Sequence, residues 1–428
     1  MRPPARRRRA AAYLPAAMLP SLRSTTPLLV ATVFLLGGVG LLHTLVALHG
    51  EALGFPLAMI GLLTSAYYAG FLAGTWTVPM LIHRIGHIRA FAFLTAAVAI
   101  VVLLQAISPA YGLWLLLRLL QGLLLVGLYT IIESWLNAAA EPAHRSSVFA
   151  VYMMLNLGAG AASQQFLHFG NQAAILFCVV AILFCAAGLP VSLAAQRQPA
   201  MQAGSRPQLR VLWRAAPTAL AASLASGLML GALWGLLPLQ AASRGLDAAA
   251  VGTYMTVTIA GGVALQWPLG RFSDRIDRRL ALALISLVAT AAAVLNLWVA
   301  GSQATMLVLA FAFGGMSFAL YPIAVAHLVD YVERDQLVSA SSTVLLVNGI
   351  GSALGPLLAG TLMEHAGPQF LFAWFAVLAG TLAAYALYRH ARRARTVTDD
   401  NSFMPMVTTT PSALDLHRDA TDTLREGE

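Results

Sequence analysis

The chain has 428 residues, 59% of them hydrophobic and only 10% charged, with a formal net charge of +9. A water-soluble protein of this length has too little interior to hide so much apolar surface. All 26 basic residues are arginines, scattered among short segments beside apolar stretches. That dispersal excludes a single basic face for nucleic acid as the source of the charge.

The opening, MRPPARRRRAAAYLPAAMLPSL, carries an arginine cluster like a signal n-region. Pro15 and Pro20 interrupt the weakly apolar stretch behind it, and a full span follows at once. Residues 1–26 are therefore read as a cytoplasmic Arg-rich segment or an over-extended start, rather than a cleaved peptide. Twelve apolar stretches follow, near 27–48, 57–81, 89–107, 112–137, 146–168, 172–194, 218–239, 251–269, 280–300, 304–326, 338–362 and 370–388. Crossing a hydrocarbon core takes about 20 residues as a helix. The expected fold is an all-α membrane protein of two six-helix bundles, 27–194 and 218–388. Between them, 195–217 reads as a cytoplasmic linker with a short surface helix. Residues 389–428 read as a disordered, acidic cytoplasmic tail.

An even number of spans places both termini on one side. Arg23, Arg84, Arg89, Arg145, Arg197, Arg206, Arg210, Arg214, Arg271, Arg275, Arg278, Arg279 and Arg334 fall on that side, and Arg244 alone falls opposite. This asymmetry predicts cytoplasmic termini in a cell inner (plasma) membrane, with the lipid bilayer as a partner and no nucleic acid. Cys178 and Cys185, both in span six, read as buried packing residues rather than disulfide or metal ligands.

The second half repeats the first. A shift of 191 carries Gly61, Gly70, Trp76 and Arg84 onto Gly252, Gly261, Trp267 and Arg275. A shift of 192 carries Leu128, Tyr129, Glu141 and Asn156 onto Leu320, Tyr321, Glu333 and Asn348. Paired bundles meeting at a pseudo-symmetric seam are how many secondary transporters hold a site at the bilayer midplane and open it to one side at a time.

Between spans eight and nine stands Gly270-Arg271-Phe272-Ser273-Asp274-Arg275-Ile276-Asp277-Arg278-Arg279. It resembles the G-x-L-x-D-R-x-G-R-R loop of the major facilitator superfamily, with Phe272 for Leu and Asp277 for the second Gly. The matching loop after span two keeps Leu81, Arg84 and Gly86 but has Pro79 and His83 at the Gly and acid positions, and Arg89 one place beyond the closing arginines. Arg118-x-x-Gln121-Gly122 in span four is similar to that family's R-x-x-Q-G motif. The stretches IIESWLNAAA, VYMMLNLGAGAASQ and LYPIAVAHLVD resemble its poorly characterised YcaD-like branch. The resemblance implies a cytoplasmic latch of Asp274, Arg275, Arg278 and Arg279. By it, Arg84 and Arg89 lie near Glu133, and Asp330 takes Arg275 or Arg279. The reading open beside it is ordinary anchoring with solvated ion pairs, which contribute little.

Arg118 is a charge deep in a predicted span, and such charges rarely face lipid. Helical spacing sets Gln121 and Tyr129 near its face. It reads as a clamp for an anionic group or as part of ion coupling, or else as a structural arginine satisfied by Gln121 and backbone carbonyls. Asn156 and Asn348 occupy equivalent depths and read either as solute contacts, with Tyr321, or as interhelical hydrogen bonds. Glu133 lies 15 residues past Arg118, about 22 Å along the axis, too far to pair with it directly. His43 is a candidate proton relay. Gly351, Gly355, Pro356 and Gly360 resemble a pattern carried by antiporters, which implies efflux; close packing also accounts for them.

No metal cluster, phosphate loop or nucleophile triad is legible, so no cofactor and no enzyme activity are expected. The expected function is a monomeric, proton-coupled secondary transporter of a small organic solute, working by alternating access. The alternative is a transport-inactive sensor or assembly factor that keeps the same bundle.

Overall fold

The computed structural model describes residues 19–139, 145–169, 172–193, 209–298, 302–332 and 336–392. The N-terminal arginines, Glu141, Arg197, Arg206, Glu333, Arg334 and the acidic tail lie outside these residues, as do the side chains of Arg23 and Arg145. The first half holds α1 (Leu19–Ala52), α2 (Leu57–Ile85), α3 (His87–Ile107), α4 (Tyr111–Ala139), α5 (Arg145–Ser163), a 3-10 turn (Gln164–Phe169) and α6 (Ala173–Ser192). After α7 (Leu209–Ala215) come α8 (Pro217–Ala242), α9 (Ala248–Arg275), α10 (Arg278–Trp298), α11 (Gln303–Val329), α12 (Leu337–Ala366) and α13 (Phe370–Arg392). Spans one to six are thus α1 to α6, and spans seven to twelve are α8 to α13.

Among the described residues, eleven of these helices are long and apolar enough to cross a membrane. The expected fifth span, 146–168, differs: α5 stops at Ser163 and tightens into the 3-10 turn. Gln164 accounts for this. Its Nε2 donates to the Gly40 and Gly160 carbonyls at 2.9 and 3.3 Å, and its Oε1 accepts from Thr44 Oγ1 at 2.7 Å. These bonds tie the end of α5 to α1.

The duplicated glycines are helix crossings. Between α2 and α4, a Cβ at Gly70 would lie 1.9 Å from the Leu119 carbonyl oxygen, and one at Gly122 would lie 1.9 Å from that of Tyr67. Between α9 and α11, a Cβ at Gly261 would lie 2.1 Å from the Phe311 oxygen, and one at Gly314 would lie 2.0 Å from that of Thr258. Each second-half residue is its first-half mate shifted by 191 or 192. The same holds for Gly40 on Gly160 and Gly231 on Ser352, where added Cβ atoms would lie 2.8 and 2.5 Å from backbone. Lipid gives helices no hydrophobic drive to associate, so small residues that let backbones touch supply the packing.

The same device closes the seam between the halves. A Cβ at Gly61 of α2 would meet the Pro356 oxygen of α12 at 2.3 Å; its mate Gly252 on α9 meets the Gln164 oxygen at 2.5 Å. The pairing of α2 with α12 continues through Ser65, whose Oγ accepts the Leu357 N–H at 3.1 Å, to Leu72 against Gly349. Two apolar cores result. One holds Leu35, Phe91, Trp114 and Phe177 and extends to Tyr321 and Leu328; the other holds Leu233, Phe313 and Phe375 and extends to Ile60 and Leu157.

Cys178 and Cys185 correct one expectation. They are free thiols on the exposed outer face of α6, not in its packed side. The glycines of α12 have packing roles: Gly351 and Gly355 abut the Leu224 and Leu228 carbonyls of α8, and Gly360 abuts α2.

Gly122→Ala and Gly314→Ala should each cost about 1–3 kcal/mol, because backbone must move to admit the methyl group. Gly112→Ala has open space and should be neutral or slightly stabilising. Melting of detergent-purified variants checks this; equal melting for all three would contradict the crossing geometry.

Candidate functional site

Arg118 sits in the second turn of α4 with only 1% of its surface exposed. One guanidinium nitrogen donates to Gln121 Oε1 at 2.9 Å, and Gln121 in turn donates to Gln105 Oε1 of α3 at 2.8 Å. The other terminal nitrogen lies 3.2 Å from His43 Nδ1 of α1. Arginine has no acceptor, so Nδ1 must be the unprotonated nitrogen and the imidazole is neutral in this arrangement. The guanidinium also lies 4.7 Å from the centre of the Tyr67 ring, a cation–π geometry. Its Nε and Gln105 Nε2 have no partner among the described residues.

An aromatic wall surrounds this charge. His43 meets Tyr67, Trp234 and Tyr68 at ring distances of 4.7, 6.0 and 6.4 Å, and Trp234 meets Phe318 at 6.0 Å. Trp234 comes from α8 in the opposite half, and it is the repeat mate of His43 by the shift of 191. The first half supplies the charge with His43, Tyr67 and Tyr68, and the second half adds the Trp234 and Phe318 rings.

Of the sequence candidates, Arg118, Gln121 and His43 form one hydrogen-bonded group. No hydrogen bond or ring contact joins Tyr129, Asn156, Asn348 or Tyr321 to Arg118 among the described residues. Tyr129 packs on Phe71 at 5.9 Å, and Tyr321 is buried in the first-half core. Asn348 Nδ2 donates to the Ser223 carbonyl of α8 at 2.9 Å, the interhelical role. Its mate Asn156 is buried on α5. Trp76 and Trp267 are 60% and 54% exposed on the outside of the bundles, fitting an interfacial belt. Spacing alone does not single out Gln105, Tyr67 and Trp234 as neighbours of Arg118 and His43, although the repeat shift marks Trp234 as His43's mate.

The cytoplasmic loop departs from its expected pairings. Asp330 pairs with Arg278, not with Arg275 or Arg279: Arg278 Nε reaches Asp330 Oδ2 at 2.7 Å while its NH1 reaches Asp274 Oδ1 at 2.9 Å. Arg278 opens α10, so its side chain can span from the end of α9 to the end of α11. Arg279 is 2% exposed and turns instead to the Tyr331 hydroxyl and, at 3.4 Å, the Arg389 carbonyl. Arg275 points outward.

In the first half, no ion pair of Arg84 or Arg89 with Glu133 is found among the described residues. Both arginines are exposed. Glu133 is fully buried, with Oε1 accepting from Tyr152 OH of α5 at 2.9 Å. No cluster able to hold a metal ion occurs among the described residues.

The helical architecture matches solved transporters. A mutant form of the nucleoside transporter NupG superposes with a TM-score of 0.72 at 16% identity, over 85% of this chain and 99% of that one. A bacterial homologue of the human lysosomal transporter Spinster, inward-facing and occupied, gives 0.66 at 15% identity over 94% and 98%. The Major Facilitator Superfamily model matches residues 219–414. That match covers the second half of the chain, and both halves share the helical fold of the solved transporters, so the chain is similar to multi-pass transporters of the major facilitator superfamily. It is also similar to the uncharacterised MFS-type transporter YcaD of Salmonella typhimurium, 29% identical over 344 residues, covering 78% of this chain and 87% of that protein. YcaD of Salmonella heidelberg is 28% identical over the same length.

Arg278→Ala leaves Asp274 and Asp330, 26% and 20% exposed, without their shared cation. The loss should exceed the roughly 0–1 kcal/mol of an exposed pair. Arg275→Ala should change melting little; a larger loss for Arg275→Ala would reverse the assignment.

Proposed function

We propose that this protein is a secondary active transporter of the inner membrane that carries a small organic solute with an anionic group, coupled to protons. The observation that carries the reading is the buried Arg118 guanidinium, held by Gln121 and His43 beside Tyr67, Tyr68, Trp234 and Phe318. A carboxylate or similar anion can replace the weaker of these neutral partners, since a charge-assisted bond is roughly twice as strong as a neutral one. The aromatic wall suits an apolar or planar remainder.

The geometry also suggests how protons enter. While Arg118 donates to His43 Nδ1, that nitrogen cannot take a proton. An anion that draws the guanidinium away frees Nδ1 to accept a proton. Solute and proton thus bind together, and each disfavours the empty state's Arg118–His43 bond. Tyr129, Asn156 and Tyr321 lie outside the Arg118 group, Tyr129 against Phe71 and Tyr321 in the first-half core, and Asn348 braces α12. The Arg278 bridge biases the cytoplasmic end.

Orientation follows the arginines: Arg84, Arg89, Arg271, Arg275 and Arg278 lie at one end of the helices, with Arg244 opposite. That asymmetry supports cytoplasmic termini.

A melting-shift screen against metabolites identifies the solute, because a ligand that binds only the folded state raises stability. In proteoliposomes, Arg118→Ala should abolish uptake of that solute with expression intact. His43→Gln should keep the melting shift but lose the response to a pH gradient. Wild-type flux in Arg118→Ala would remove Arg118 from the site, and an unchanged pH response in His43→Gln would remove the coupling role.

A further inference from the structure

The two bundles finish their outer helix ends differently. α9 begins behind Asp247, whose side chain accepts the Ala250 N–H at 2.8 Å. The first residues of a helix have N–H groups with no partner inside the helix, and Asp is among the best residues to satisfy one. The repeat mate of Asp247 is Pro56, 191 positions earlier. Pro56 precedes α2 and makes no side-chain cap.

The acceptor comes from the other half. Glu364, in the last turn of α12, accepts the Leu57 N–H with Oε2 at 2.7 Å. This bond sits at the outer end of the α2–α12 seam, just beyond Gly61 on Pro356 and Ser65 on Leu357. The companion seam of α5 with α9 is held by neutral contacts: Gln165 Nε2 on Thr256 Oγ1 at 2.6 Å, and Thr256 Oγ1 on the Ala161 carbonyl at 3.0 Å.

We infer that Glu364 is an outer latch supplied by one half to the other. The N-terminus of α2 carries the positive end of the helix dipole and lacks a cap of its own, so a carboxylate is its preferred partner. That partner is present only while the outer ends of α2 and α12 are together. Parting the halves leaves Leu57 N–H to water and returns Glu364 to solvent. α9 keeps Asp247 in either state. The closed outer seam is therefore stabilised by one charge-assisted bond that the duplicated partner position does not need. The inference rests on the reading that the halves part at their outer ends, and its test requires no solute.

The reporter is Ser65→Cys, buried in the seam, in a Cys178→Ser/Cys185→Ser background, labelled by a membrane-impermeant maleimide from the face opposite the arginine-rich loops. Glu364→Ala should label about two- to five-fold faster than its parent, the population shift expected of one helix-terminal carboxylate. Glu364→Gln, which keeps an acceptor without charge, should fall between. Adding Pro56→Asp to Glu364→Ala gives α2 its own cap; melting should recover while labelling stays fast. An unchanged rate in Glu364→Ala overturns the latch. A return to the parent rate on adding Pro56→Asp overturns it too, by reducing Glu364 to a helix cap. Solute flux measured on the same variants reports separately on the transport reading.

Discussion

Direct contact between a glycine and a facing carbonyl is the constraint on which this structure is built. In a bilayer, the tails are as apolar as leucine, so helices hold together by close packing and hydrogen bonds rather than by escape from water. The contacts at Gly70 and Gly122 recur at Gly261 and Gly314 with nearly the same spacing. A side chain at any of them meets backbone, which cannot give way cheaply. Each bundle is thereby fixed internally. α12 belongs to both sets of contacts: Gly351 and Gly355 grip α8, while Gly349 and Gly360 meet α2. Proline removes the donor that would satisfy the Ser352 carbonyl, and that carbonyl sits against Gly231.

On this symmetric frame the chemistry is asymmetric. His43 has Trp234 as its mate, Arg118 has Ala310, and Pro56 has Asp247. The first half has polar groups at His43 and Arg118 where the second offers a ring and a methyl group, and the second has a cap at Asp247 where the first has a proline. A buried charge facing an aromatic surface across a seam is an arrangement that neither half could make with a copy of itself. The inner loops diverge in the same way. Arg278 joins α9, α10 and α11 through two aspartates. The first-half loop, with His83 in place of the acid, leaves Arg84 and Arg89 facing out.

Much of this was legible in the sequence, for identifiable reasons. Apolar runs of membrane length and glycines repeating at fixed shifts gave the helices and their duplication, because both depend on residue type alone. Arg118 was legible because charge inside a span is rare. Its attachment to Gln121 followed from helical spacing; its attachments to His43, Gln105 and Tyr67 did not, because they depend on how α1, α2, α3 and α4 rotate against each other. The choice of Arg278 rather than Arg275 or Arg279 as partner of Asp330 turned on where α10 begins, a boundary that spacing does not resolve. The break in span five depended on one glutamine side chain reaching backbone of another helix. The outward placement of Cys178 and Cys185 reflects the lipid-facing side of α6, which a uniformly apolar helix does not reveal.

Two internally rigid bundles are proposed to tilt about the seams of α2 with α12 and of α5 with α9. Distances between spin-label pairs in lipid nanodiscs test it most directly, with Met59 and Leu358 at the outer ends, Arg84 and Arg275 at the inner ends, and a control pair inside one bundle. The account predicts two populations at each end that change in opposite senses as pH or solute is varied, while the control distance holds still. A single unchanging population at both ends, or a control distance that shifts with them, would contradict it.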